Sequence, residues 1–408
     1  MVPDLIRFSR KGLGKVGRFV CPLEGDALCS EARQKTGLHE FGEPALNPAL
    51  ATLIASLENE ANLHPLGRFL IRGHLRHLLE NRLRLTHAWR NEPGEIANGP
   101  IRYPLFVVGM PRSGSTFLHE LLAEDPNNRA PRVWEVMFPV ALGKGGRNDQ
   151  RDRIRKTEIC LWWFRRFAPE ADSVYPVRAW TPHECVAIHS GTFMSEEFIA
   201  TCHVPTYQKF LRAADLVPAY IWEKRFLQYL QLGGPPKRWV LKSPDHVFGL
   251  DELFSVFPDA VIVQTHRNPL DVLRSIAHLT RVLHDLYAWA EPRHTAVLRE
   301  ARALAEATER FIAFRDRHPE LAGRFIDLTY RELVADPLAA VDRIYQRLDC
   351  HLSVQATRRM TRLARERSRY RGHRRVHEPE ALKLGASAES SRFKSYCSRF
   401  GLSYEPGM

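Results

Sequence analysis

The sequence predicts an α/β protein with a P-loop-type parallel sheet flanked by helices, a helical N-terminal lead-in before the sheet and a helical, aromatic-rich insertion within it. Three observations carry this expectation. Short apolar runs rich in β-branched residues recur beyond residue 100, each followed by helical periodicity, which is the pattern of strands joined by helical crossovers. The first of these runs opens directly into a glycine-bearing turn and then a helix. Before residue 100 the apolar positions instead recur at three and four, the spacing of amphipathic helices.

In chain order, Asn47 to Trp89 carries Leu53, Ile54 and Leu57, then Leu66, Phe69 and Leu70, then Leu75, Leu78, Leu79, Leu83 and Leu85, which predicts two or three helices. Asn91 to Pro100 is a turn-rich linker of Asn, Pro and Gly. Residues 1–100 are therefore expected to form the lead-in and residues 101–408 the α/β domain. Leu105-Phe106-Val107-Val108 predicts the first strand, Gly109-Met110-Pro111-Arg112-Ser113-Gly114-Ser115-Thr116 a phosphate loop, and Phe117, Leu118, Leu121 and Leu122 the helix after it. Arg238-Trp239-Val240-Leu241, Ala260-Val261-Ile262-Val263-Gln264 and Arg324-Phe325-Ile326-Asp327-Leu328 predict three more strands. Residues 144–231 lack strand signals and are dense in Trp, Phe and Tyr, so they read as a lid or acceptor-binding insertion, with ordinary packing against the sheet as the plainer alternative.

A 44% hydrophobic, 26% charged composition is ordinary for a globular chain and argues against disorder. The seven cysteines are scattered and never spaced CxxC, which indicates neither a disulfide framework nor a zinc site and fits a reducing cytoplasm. No apolar run approaches the ~20 residues of a membrane span. Arg7, Arg10, Lys11, Lys15 and Arg18 interrupt the first twenty residues, against a secretory segment. That stretch is expected to be a solvated basic tail, with peripheral contact to an anionic membrane left open.

The net charge of +12 calls for anionic partners. The run from Arg358 to Arg375 is the densest basic segment, yet it holds a single aromatic, Tyr370, and no recognition module, so nucleic acid is not the expected partner.

The loop narrows the choice. Gly109 and Gly114, five apart, match the first half of GxxxxGK[ST], but Ser115 stands where a nucleotide triphosphatase needs lysine, and Arg112 is the loop's one cation. The neighbouring strand ends carry Lys242 and His266-Arg267, where a kinase or triphosphatase would need a carboxylate for magnesium. The pattern suits a phosphate-bearing ligand neutralised by protein cations, with no metal required. The alternatives are another P-loop nucleotide enzyme, a basic nucleic-acid-binding protein, or a strand-turn-helix without a ligand.

At these residues the chain resembles the sulfotransferases that use 3'-phosphoadenosine 5'-phosphosulfate (PAPS), in particular the branch with a Pro-Arg-Ser-Gly-Ser/Thr-Thr loop that includes protein-tyrosine sulfotransferases and many bacterial enzymes. The resemblance runs from Leu105 to Leu333, with a weaker match at Phe400-Gly401-Leu402. It implies transfer of a sulfuryl group from PAPS, as co-substrate, to a hydroxyl or amine of a small-molecule, lipid or peptide acceptor. The aromatic insertion favours an apolar or lipid-like one. It further implies that Arg112, Ser113, Gly114, Ser115 and Thr116 hold the 5'-phosphosulfate side of the donor, and that Arg267 and Ser275, eight apart, hold the 3'-phosphate. Lys242 is then expected beside the transferring group and Tyr330 beside the adenine. Arg371, with Gly372 and His373, would belong to a late basic loop over the phosphates. Glu135 resembles the base of the tyrosine sulfotransferases, His246 is its rival one turn beyond Lys242, and His183-Glu184 is placed to position the acceptor. Arg112, Lys242, Glu135 and His246 are thus the expected catalytic set. The whole expectation requires that Arg112 and Arg267 meet in space.

Overall fold

The computed structural model describes residues 21–403 except 47, 92–93, 95–98, 142–148, 175 and 370–388, so the basic N-terminal stretch and Tyr370, Arg371, Gly372 and His373 lie outside the described residues. Among the described residues three helices come first: α1 (Gly25–Thr36), α2 (Ala49–Asn59) and α3 (Pro65–Asn91). The last two follow the predicted periodicity. The first was not anticipated, because only Leu28 and Ala32 of its twelve residues are buried and two apolar positions make a weak period.

Strand β1 (Leu105–Gly109) leads through the loop into α4 (Ser115–Ala123), then the two-residue β2 (Asn128–Arg129) and α5 (Val133–Met137). Among the described residues the insertion that follows is built of helices and connecting loops: α6 (Asp149–Phe167), α7 (Pro169–Val174), α8 (Cys185–His189), α9 (Glu197–Thr201), α10 (Pro205–Ala213) and α11 (Val217–Leu230). The chain returns to the sheet as β3 (Arg238–Lys242), α12 (Leu250–Val256), β4 (Val261–His266), α13 (Pro269–Tyr287), α14 (Arg293–Arg317) and β5 (Phe325–Thr329). Helices α15 (Tyr330–Ala335), α16 (Pro337–Arg347), α17 (Val354–Arg369) and α18 (Ser390–Arg399) complete it. All four predicted strands are present; β2 is too short to leave a sequence signal.

The five strands are parallel in the order β2-β3-β1-β4-β5, with Val107 opposite both Lys242 and Val263, and Gly109 opposite Thr265. Alternation along β1 explains the three-layer architecture. Leu105 and Val107 face a core with Leu118, Leu121, Val341 and Met360, from α4, α16 and α17. Phe106 and Val108 face another with Tyr220, Trp222, Phe226 and Phe311, from α11 and α14. With both faces covered, the strands read as continuous apolar runs. From β1 the chain passes first toward β2 and β3, then across to β4 and β5, so the divergence point lies at the carboxyl ends of β3, β1 and β4. Open parallel sheets bind ligands at such a point.

Lead-in and insertion share one core, in which Leu53, Leu57, Leu75 and Leu79 pack with Phe193, Phe198 and Tyr207. Arg82 of α3 is fully buried and fastens the two. It donates to the carbonyls of Phe41 and Gly191, at 2.8 Å each, and lies 4.7 Å over the Trp222 ring. Most aromatics of the insertion are therefore structural, whereas Trp162, Trp163 and Trp180 remain about half exposed.

Candidate active site

The loop after β1 owes its shape to two glycines and one strained arginine. A Cβ on Gly109 would stand 2.3 Å from Thr265 Oγ1 and 2.5 Å from the Thr265 carbonyl oxygen, so any side chain there would push β1 from β4. Arg112 (φ 67°) and Gly114 (φ 94°) both occupy the left-handed region. Such alternation turns successive backbone N–H groups toward a common anion-sized centre. Ser113 is fully buried and pins the loop: its Oγ donates to the Met110 carbonyl at 2.6 Å and shares a hydrogen bond with Thr265 Oγ1 at 2.6 Å. Helix α4 begins at Ser115 with Gly114 as its cap, so the positive end of its dipole faces the same centre.

Three elements deliver side chains to this loop. Arg112 Nε donates to Ser275 Oγ on α13 at 2.9 Å. Arg267, just past β4, donates from Nη1 to the Arg112 carbonyl at 2.9 Å. Its guanidinium lies 4.1 Å over the ring of Tyr330, the first residue after β5, and that ring closes against Gly114. Arg112, Ser113, Gly114, Arg267, Ser275 and Tyr330 thus form one cluster, and the required meeting of Arg112 and Arg267 occurs. The glutamate near Tyr330, Glu332, is occupied locally: with Thr329 it forms a capping box at the start of α15. The C-terminal match also finds a place, because Phe400 stacks on His266 at 4.0 Å and the Ser403 carbonyl accepts from Asn268 Nδ2 at 2.8 Å, behind Arg267.

Lys242 ends β3, next to β1, and is 3% exposed. Its Nζ lies 2.5 Å from Glu184 Oε1, an ion pair that sequence reading did not foresee since the partners are 58 residues apart. Glu135 is buried with both oxygens engaged: Oε2 accepts from the Arg132 backbone N–H at 2.8 Å and Oε1 from Arg129 at 3.0 Å. His246 is buried against the Phe106 ring, with Nδ1 2.9 Å from the Tyr220 hydroxyl, and burial pulls its pKa down to about 4. Burial also lowers the His183 pKa.

Beside the loop opens a cavity of about 140 Å³ whose walls include Gly109, Met110 and Pro111 from the loop, Ile199 and Ala200 from α9, Phe248, Ile276 from α13 and Leu304 from α14. Its acidic members are Glu196, Asp245 and Glu300. Asp245, three residues after Lys242, has its pKa raised to about 7 by burial first and by Glu196 and Glu184 second. Sequence reading missed this residue, because its acidic neighbours Glu184 and Glu196 come from the caps of α8 and α9. Of the four expected catalytic residues, Arg112, Glu135, Lys242 and His246, none belongs to the lining.

Known proteins match the chain in sequence and in fold. Residues 104–353 match the profile of the sulfotransferase family, and the chain belongs to that family. The solved sulfotransferase STF1 from Mycobacterium tuberculosis H37Rv superposes with a TM-score of 0.80 at 29% identity, over 91% of this chain and 98% of that one. Sulfotransferase STF9 from Mycobacterium avium gives 0.78 at 25% identity, over 94% and 98%. In sequence, the omega-hydroxy-beta-dihydromenaquinone-9 sulfotransferase Stf3 of Mycobacterium bovis is 24% identical over 274 residues, which are 61% of this chain. The chain spans 64% of that relative's length.

Proposed function

We propose that this protein transfers a sulfuryl group from PAPS to the hydroxyl of an apolar, lipid-like acceptor held in the cavity beside the loop. The observation that carries the reading is the convergence of Arg112, Arg267, Ser275 and Tyr330 on one loop. Two separated phosphates and an adenine need that set, whereas a nucleoside triphosphate needs a lysine and a metal-binding carboxylate. The apolar walls, and a relative named for a hydroxylated menaquinone derivative, support the acceptor class.

In this reading the 3'-phosphate lies between Arg267 and Ser275, the adenine against Tyr330, and the 5'-phosphate in the curl of the loop with Ser113 to Thr116. The acceptor oxygen bonds to sulfur as the sulfur–oxygen bond to the 5'-phosphate breaks, and the phosphate leaves with the electron pair. Arg112 and Lys242 offset the charge that grows on it, in a site where fixed cations act more strongly than in water. The acceptor proton passes to a carboxylate. Asp245 and Glu300 both line the cavity with a pKa that burial raises to about 7, half ionised at neutral pH, and Asp245, whose charge interacts with that of Lys242, suits the role best. Glu135 is tied to Arg129 and to its own helix, and His246 is a weak base off the cavity wall.

Calorimetry with 3'-phosphoadenosine 5'-phosphate (PAP) and with ATP, without added metal, tests the donor assignment. PAP is expected to bind at least roughly tenfold tighter, about 1.4 kcal/mol, and Arg267→Ala to erase the preference. ATP binding as tightly as PAP overturns the reading.

A further inference from the structure

We propose that Cys185, Glu223 and His246 form a buried three-ligand site for a soft divalent cation of the zinc type. The three come from separate elements, the start of α8, the middle of α11 and the turn Pro244–Phe248. One ligand atom from each lies within 4.8 Å of the others, and all three residues are buried. The set itself has no sequence spacing to announce it, because Cys185 and His246 are 61 residues apart; His189, four residues after Cys185, is the nearest histidine on the same helix.

The hydrogen bonding around these side chains points to something missing between them. Glu223 Oε2 accepts from His189 Nε2 at 2.8 Å, and the Glu223 carboxylate also accepts from the Cys185 thiol. His246 Nδ1 is held by the Tyr220 hydroxyl at 2.9 Å, while Nε2 is buried with no partner. The imidazole thus has one nitrogen fixed from behind and the other unpaired, as metal-ligating histidines do when an outer group orients them. A buried polar atom left unpaired is costly. Ligands bonded at ~2.0–2.3 Å to a tetrahedral centre stand ~3.3–3.8 Å apart, which a small contraction of the cluster would reach.

The donor set fits the ion. Thiolate, imidazole and carboxylate are zinc ligands, and the thiolate excludes magnesium or calcium as the natural occupant. A bound ion would replace the thiol proton that Cys185 shares with Glu223 and would use the unpaired His246 Nε2. The ion would also brace the site in front of it. Glu184 precedes Cys185, and Lys242 lies four residues before His246, so the metal would join the two segments that carry the Lys242–Glu184 ion pair. The inference does not depend on the identity of donor or acceptor.

The test measures metal in the full-length protein, expressed in zinc-supplemented medium and purified without a metal-affinity step. Elemental analysis is expected to find close to one zinc per chain, and cobalt exchange to give thiolate-to-cobalt absorption in the near ultraviolet. Cys185→Ser should lower the zinc content about tenfold or more, whereas Cys160→Ser, at an exposed cysteine, should retain it. Should Cys185→Ser fail to fold, the wild-type stoichiometry and cobalt spectrum still decide. Wild-type protein without zinc after incubation and desalting, cobalt bound without a thiolate band, or full zinc in folded Cys185→Ser would each overturn the proposal.

Discussion

Removing the carboxylate of Glu184 is expected to destabilise the protein strongly, and removing both members of its pair with Lys242 much less. The Lys242 side chain is 4% accessible and that of Glu184 15%, with Nζ and Oε1 at 2.5 Å. Breaking a buried ion pair from one side costs roughly 3–5 kcal/mol, since a charge is left without compensation in a poorly solvated place. The residual access of water to Glu184 puts Glu184→Gln near the lower end, about 3 kcal/mol. Lys242→Met/Glu184→Gln leaves no charge behind and should lie within about 1.5 kcal/mol of wild type, so with each single variant at about 3 kcal/mol the double-mutant cycle should give a coupling of about 4.5 kcal/mol. Urea denaturation of the four proteins, followed by tryptophan fluorescence, reads it. Turnover separates structure from chemistry: the double variant should regain stability and remain about 100-fold slow, because the lysine charge is still missing. Additive effects, or Glu184→Gln unfolding at the wild-type urea concentration, would refute the reasoning.

Arg112→Ala is expected to cut turnover about 100-fold, and Ser275→Ala to weaken PAP binding by roughly tenfold, the loss of a charge-assisted hydrogen bond at about 1.4 kcal/mol; steady-state rates and calorimetry check these. For Gly114→Ala, a φ of 94° and a Cβ 2.9 Å from Tyr330 Cδ2 predict about 1–3 kcal/mol of destabilisation and weakened donor binding, visible as a lower thermal midpoint that PAP fails to restore. If Asp245 takes the acceptor proton, turnover should rise with pH to a plateau above about 7, and Asp245→Asn should be slow and flat between pH 6 and 8. The same raised pKa affects stability. The folded protein keeps a proton that the unfolded chain has lost above pH ~4, so stability falls as pH rises from about 4 to 7. Asp245→Asn should reduce that slope in denaturation measured across the window, the remainder coming from Glu300, whose pKa burial also raises to about 7.

The strands were legible because a sheet covered on both faces makes each strand uniformly apolar, and the loop because Gly109 and Gly114 answer to local backbone geometry. Both are properties of neighbours in sequence. Arg112 and Arg267 were legible for a related reason: a parallel sheet brings the turn after each strand to one edge, so order along the chain already implies proximity, whereas Ser275 and Tyr330 were expected from the family resemblance. Partners that meet across the sheet and the insertion left no such trace. Glu184 beside Lys242, the acidic neighbours that raise the Asp245 pKa, and the buried Cys185, Glu223 and His246 depend on how α8, α9 and α11 pack over the sheet. Sequence alone fixed which residues surround the loop, because backbone conformation and strand order are local or periodic. The protonation and pairing of the groups around the cavity were decided only by tertiary packing, because desolvation and Coulomb interactions depend on distance in space and not on separation along the chain.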